Sequence, residues 1–120
     1  MTKRNQDFTM WRGDRKNIII QVVDSEENVV NITGASIVWI MLNPINELDK
    51  STAGGGIVLS DAPNGEFTIV IMPSDTEDFE GEYYYHEAEV TDYLGNVSTV
   101  TVGSVALMQD AIPAYVEAVP

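Results

Sequence analysis

Short runs of β-branched and aromatic residues, each closed by a cluster of turn-forming residues, recur along the chain and limit what it can fold into. In the run over residues 66–72, Phe67, Ile69 and Ile71 alternate with other side chains, and Pro73 ends the run. Such alternation is typical of a half-buried strand, and no stretch shows convincing helical spacing. The pattern therefore predicts an all-β chain.

The sequence predicts seven strands, over residues 8–11, 17–23, 35–42, 57–60, 66–72, 82–91 and 97–108. Seven short strands at this spacing favour an antiparallel β-sandwich over a barrel or an α/β sheet. The glycine-rich segment 43–56 is predicted to be a flexible connection, and 74–81 an acidic loop. Gly103 is predicted to form a β-bulge that resets the register of the last strand.

Length and charge restrict the number of domains and the class of partner. A chain of 120 residues is the usual size of a single domain. Nineteen acidic residues against six basic ones give a net charge of −13, which repels nucleic acid and anionic membrane surfaces. The chain has no cysteine, no apolar run long enough to cross a bilayer and no apolar leader, so we expect no disulfide and no secretory signal.

The two ends of the chain differ from its body. Five of the six basic residues lie within the first 16 positions, and we expect residues 1–7 to form a basic arm. Its Lys3 and Arg4 would contact an acidic surface on another copy or another protein, or the arm would only aid solubility. Residues 109–120 are predicted to form an extended tail that adds to a neighbour's sheet edge through Ile112, Tyr115 and Val116, with disorder as the alternative.

Four segments carry a resemblance to a known family: FTMWRGD at 8–14, VNITGASI at 30–37, Gly81 with its following tyrosines, and VTDYLGN at 90–96. They resemble the Ig-like N-terminal domain of bacteriophage baseplate upper proteins over residues 8–108. One residue more than the family pattern lies between Gly81 and Asp92. Either Tyr83 or Tyr84 therefore corresponds to the family tyrosine, and alternation counted back from Val90 favours Tyr84.

The resemblance implies an Ig-like sandwich and a virion structural protein that is assembled in the cytoplasm of the bacterial host. Family members usually continue into receptor-binding parts, whereas only a short tail follows here. A free-standing copy is more similar to a head decoration or head-fibre base, a neck or collar protein, or a tail or baseplate accessory. Its partners would be other virion proteins and copies of itself.

Few residues suggest chemistry, and we expect neither an enzyme nor a cofactor. His86 is the only histidine, and its strand position predicts a hydrogen-bonded core or rim residue. Asp75, Glu77 and Asp78 supply oxygen ligands of the kind that Ca²⁺ prefers, but they lack EF-hand spacing, and a solvated acidic loop explains them more simply.

Two features suggest a binding surface. The strand over 35–42 is apolar on both faces, because Val38, Ile40 and Leu42 lie opposite the set that contains Trp39. The outward set is either a partner surface or covered by a loop. The tyrosines at 83–85 support a second interpretation, a soluble carbohydrate-binding or adhesin-type Ig-like module, with the acidic loop as part of its ligand surface. A small hydrolase built around His86 is a third.

Overall fold

The computed structural model describes residues 1–109. Within this range the chain forms nine strands, one short α-helix, α1 (Pro73–Thr76), and one 3-10 turn (Ala62–Asn64). The strands are β1 (Arg4–Asn5), β2 (Phe8–Trp11), β3 (Lys16–Gln21), β4 (Ser36–Leu42), β5 (Glu47–Ser51), β6 (Ile57–Asp61), β7 (Glu66–Ile71), β8 (Tyr83–Thr91) and β9 (Val97–Met108). No helix among these residues has both the length and the apolar character needed to cross a bilayer.

The strands form two sheets. The large sheet has six strands in the order β1–β9–β8–β4–β5, with β2 also paired to β9, and the small sheet has the order β3–β7–β6. This is the Ig arrangement, in which strands G, F, C and C′ face strands B, E and D. The prediction of an all-β Ig-like sandwich is confirmed. It is not wholly antiparallel, because β1 and β2 run parallel to β9.

The core lies between the sheets and is built by the predicted alternation. Strand β4 buries Ile37, Trp39 and Met41, and β7 buries Phe67, Ile69 and Ile71. Each of these side chains is at most 2% exposed. Burying one large apolar side chain contributes about 1.5–3 kcal/mol, so the period of two in these two strands determines which face of each sheet points inward.

The start of β8 is fixed by a tyrosine corner. The Tyr84 hydroxyl donates a hydrogen bond to the Glu80 carbonyl oxygen at 2.5 Å, and its ring stacks on Phe79. Ig domains use such a bond to hold the turn that enters this strand. Tyr84 is 3% exposed, whereas Tyr83 and Tyr85 point outward. Tyr84 therefore lies on the same inward face of β8 as Val90, as the alternation predicted.

The prediction of a flexible connection over 43–56 is wrong in its middle. Strand β5 pairs antiparallel with β4 and buries Leu48 beneath the edge of the sheet. Its sequence is mostly polar because Glu47, Asp49 and Ser51 lie on the outward side and the inward Lys50 is paired with Asp75. The acidic loop also begins differently from the prediction, as the single turn α1, whose Asp75 carboxylate accepts a bond from the Met72 amide at 2.7 Å.

The bulge in β9 lies at Val100, and the prediction of a bulge at Gly103 is wrong. Ala88 is opposite Thr101 and Glu89 is opposite Thr99, which leaves Val100 as the extra residue. Gly103 pairs regularly with His86. It is a glycine for another reason, since a Cβ there would lie 2.4 Å from the Gln6 carbonyl oxygen.

The N-terminal segment does not extend away from the body as an arm. Arg4 and Asn5 pair with Thr101 and Val102, and the Gln6 amide donates to the Val102 carbonyl oxygen at 2.7 Å. Backbone hydrogen bonds along β9 hold this segment as the edge of the large sheet. The tail beyond residue 109 lies outside the described residues.

Candidate functional site

The side of the large sheet that points away from the small sheet is the outer face, and it holds the outward-pointing residues of β4. Register places Tyr85 and Glu47 beside Leu42, Glu87 and Asp49 beside Ile40, and Glu89 and Ser51 beside Val38. Cross-strand neighbours on one face have Cβ atoms about 5 Å apart, so these three rows form one continuous surface.

An apolar stripe crosses the outer face. Val38 is 51% exposed, Tyr83 is 73% exposed and Tyr85 is 45% exposed, while Ile40 and Leu42 are half-buried. The sequence left open whether a loop covers this side of β4, and no loop among residues 1–109 covers Val38. Contiguous exposed apolar residues with a polar rim are typical of protein-interaction sites.

A groove of about 540 Å³ lies over the middle of this stripe. Its lining includes the apolar Val38 and Ile40 of β4, the acidic Asp49, Glu87 and Glu89, and the basic Lys50. Its chemistry is therefore an apolar surface bordered by three carboxylates and one lysine.

The carboxylates of the outer face raise the pKa values of their neighbours. A hydrogen bond with Asp49, together with repulsion from it, raises the pKa of Glu47 above its usual range. Burial raises the pKa of the Tyr85 hydroxyl, and the nearby Glu87 carboxylate adds to that effect. Both shifts have a negative local potential as part of their cause.

Lys50 does not neutralise this potential. It is the only Lys or Arg after residue 16. Its ammonium group pairs with Asp75 at 2.7 Å, and both side chains are mostly buried. Although Lys50 also lines the groove, it is opposite the inward-facing Trp39 in the register, and its ammonium group is taken up by Asp75.

His86 is fully buried and has a structural environment. The Trp39 indole donates to its Nδ1 at 3.1 Å, so the proton lies on Nε2, which donates to the Gln6 carbonyl oxygen at 2.5 Å. The Phe8 ring packs edge-on against it at 5.0 Å. Burial lowers the pKa of His86, against the opposing effects of Gln6 and Asp7. The predicted core role is confirmed, and a neutral imidazole with both nitrogens occupied is poorly placed to act as a base.

The predicted metal ligands are not assembled into a site. Asp75 is bound to Lys50 and to the Met72 amide, while Glu77 and Asp78 are exposed. In the part of the chain that the structure describes, no three His, Asp or Glu side chains lie close enough to hold a metal ion.

The predicted partner-binding residues are placed as follows. Lys3 is exposed, but Arg4 pairs with Glu27 at 3.0 Å and belongs to β1, so it does not reach outward as predicted. Ile112, Tyr115 and Val116 lie outside the described residues. The sequence analysis also did not identify Asp49 as a residue of the groove. The alternation of Glu47 and Asp49 with Leu48 was the signal that could have placed it on the outer face.

The sequence matches no protein-family model and no curated protein. Among solved structures, the chain is similar to a "putative glycoside hydrolase" from Bacteroides vulgatus ATCC 8482, with a TM-score of 0.51 and 11% identity over 88% of this chain. The chain spans 17% of the length of that protein, and this likeness shows the fold alone. The chain is also similar to murine CRIg, with a TM-score of 0.39 and 12% identity over 87% of this chain and 92% of that one.

Proposed function

We propose that the chain is a non-enzymatic structural protein of a bacteriophage virion, which binds other virion proteins or copies of itself through the outer face of its large sheet. Assembly would take place in the host cytoplasm. The single observation that carries the interaction role is the apolar stripe, which no other segment of residues 1–109 covers and in which Val38, Tyr83 and Tyr85 are all exposed. The virion setting is supported by the family resemblance of residues 8–108.

The stripe favours binding because a partner that covered it would remove apolar surface from water. Each Å² of apolar surface removed from water contributes about 25 cal/mol, and specific interfaces bury about 800 Å² on each partner. Trp11, which is 49% exposed on the same side at the β2 edge, extends the aromatic surface. Aromatic residues are enriched at such interfaces.

A non-enzymatic role is supported by the state of His86. Its two ring nitrogens are bound to Trp39 and Gln6, and the side chain is 0% exposed. A triad or a glycosidase site would need another arrangement of groups around an accessible pocket. The groove on the outer face contains carboxylates in an exposed setting, for which the interaction role is the simpler explanation.

The proposal is tested on particles produced with a tagged copy of the full chain. Mass spectrometry of purified particles should find the chain at a fixed copy number. Val38→Asp should reduce incorporation at least about tenfold, because a new charge in an interface core must be desolvated. Val58→Asp is the matched control: Val58 is 56% exposed but lies in the small sheet. Absence of the wild-type chain from particles, or equal losses in the two variants, would refute the proposal.

A carbohydrate-binding module is the second candidate, favoured by Tyr83 and Tyr85 on one face. Exposed aromatic rings provide stacking surfaces for sugars. Glycan-array binding that disappears in both Tyr83→Ala and Tyr85→Ala, with Tyr93→Ala as an exposed control, would support this candidate over the first. An array without signal would remove it.

A further inference from the structure

The groove on the outer face combines two chemistries that select a particular kind of partner. In its central row Ile40 lies between Glu87 and Asp49, each directly opposite it in the register. Two strand spacings of about 4.8 Å separate the flanking strands, so the carboxylates stand about 10 Å apart across an aliphatic floor. Val38 and Glu89 continue the same arrangement one row along.

The one basic residue that lines the groove, Lys50, has its ammonium group paired with Asp75 at 2.7 Å. Across residues 1–109 the ion pairs are Arg4 with Glu27 and Lys50 with Asp75. The segment that holds the other basic residues begins at the opposite edge of the sheet, beyond β8 and β9. The negative charge around the groove is therefore left for a group from outside the chain.

We infer that the groove docks an amphipathic cationic segment of a different protein, in which Lys or Arg side chains alternate or mix with aliphatic ones. The alkyl part of a long basic side chain would lie on Val38 and Ile40, and its charged end would reach Asp49 and Glu87. Long basic side chains cover apolar surface in this way while keeping their charge near water. This inference rests on the proposed interaction role of the outer face.

The net charge of the chain favours a different protein over a second copy as the occupant of the groove. Each copy carries a net charge of −13, so two copies repel each other before any local contact forms. The basic residues that could offset this are partly engaged, since Arg4 pairs with Glu27 and the Lys16 ammonium lies 5.9 Å from the centre of the Phe8 ring. A basic partner is attracted at long range and fits the groove at short range.

Three synthetic peptides of equal length test the inference on the full chain labelled with ¹⁵N. One alternates Arg with Leu, one alternates Arg with Gly, and one alternates Glu with Leu. We expect saturable amide shifts, centred on residues 38–42, 47–51 and 87–89, with the first peptide only. Raising the salt from about 20 to about 300 mM should weaken that binding at least about tenfold, because the Debye length shortens to a few ångströms.

Two variants of equal charge show whether the groove itself is responsible. Glu87→Gln with Glu89→Gln should weaken binding of the Arg–Leu peptide at least about tenfold. Glu77→Gln with Asp78→Asn removes the same charge from the exposed loop after α1 and should change binding less than about twofold. Both double variants remain testable, since all four side chains lie at the surface of the sheet or loop and thermal unfolding verifies the fold.

Several outcomes would overturn the inference. Equal weakening in the two double variants, or equal affinity for the Arg–Gly peptide, would mean that net charge alone attracts the probe. Self-association that grows with added salt and protects the amides of β4 would identify a second copy as the occupant. These failures leave particle incorporation unaffected, whereas failure of the proposed function appears in the Val38→Asp particle test.

Discussion

Replacing His86 by leucine tests the buried contacts that join three parts of the fold. The imidazole accepts a bond from Trp39 of β4 and donates one to the Gln6 carbonyl between β1 and β2. Leucine has a similar volume but can do neither. The change therefore leaves one donor and one acceptor without partners while the sheets stay packed around them.

The expected loss follows from these two groups. A buried donor or acceptor left without a partner costs about 1–3 kcal/mol, so the two together cost about 2–6 kcal/mol. A domain of this kind has a total stability of about 5–15 kcal/mol, so the variant should unfold at a clearly lower urea concentration. The edge-on contact with Phe8, at 5.0 Å, is lost as well and adds to the effect.

Urea unfolding followed by far-ultraviolet circular dichroism measures this free energy. Trp39→Phe and the double variant complete a thermodynamic cycle, in which removing donor and acceptor together should cost less than the sum of the single changes. We expect a coupling of about 1–2 kcal/mol between Trp39 and His86. A loss below about 1 kcal/mol in His86→Leu, or a coupling near zero, would refute the reasoning.

Three further predictions concern the same framework. Burial lowers the pKa of His86 from its ordinary 6.5, so below that pH the unfolded chain binds a proton more readily than the folded chain does. The stability advantage of the wild type over His86→Leu should therefore be complete above pH 6.5 and shrink as the pH falls. An advantage that does not change with pH in urea titrations would contradict this. Gly103→Ala should lower the free energy of unfolding by about 2 kcal/mol and abolish hydrogen-exchange protection of the Gln6 amide, because the new methyl group would collide with the Gln6 backbone. If the variant kept the protection that the wild type has, the reasoning would be wrong. Tyr84→Phe removes the bond to the Glu80 carbonyl and should cost about 1 kcal/mol in the free energy of unfolding, while Tyr85→Phe should stay within about 0.5 kcal/mol, and equal costs would argue against the corner.

The parts of the fold that the sequence predicted are those in which one face is buried. Ile37, Trp39 and Met41 alternate with outward residues, and a slip of one position would expose all three. The apolar outward side of β4 was visible in the same alternation. That is why the sequence located the centre of the outer face correctly.

The parts that it missed depend on contacts between distant segments. Strand β5 contains only one buried apolar residue, Leu48, and its pairing to β4 leaves little trace in composition. The docking of residues 4–6 on β9 uses main-chain hydrogen bonds, which any residue except proline can donate. Gly103 was noticed, but the reason for it, the backbone of Gln6, lies 97 residues earlier in the chain and could not be found by local pattern.

The parallel pairing of the first strand with the last has a consequence during synthesis. Arg4 cannot pair with Thr101 until that residue, 97 positions later, has been synthesised. A ribosome that adds about 5–20 residues per second takes about 5–20 s to reach it. Until then the N-terminal strand of the nascent chain has no β9 to pair with. When β9 emerges, its edge is open equally to the same segment of a neighbouring chain, so exchange of this strand between molecules competes with closure of the domain.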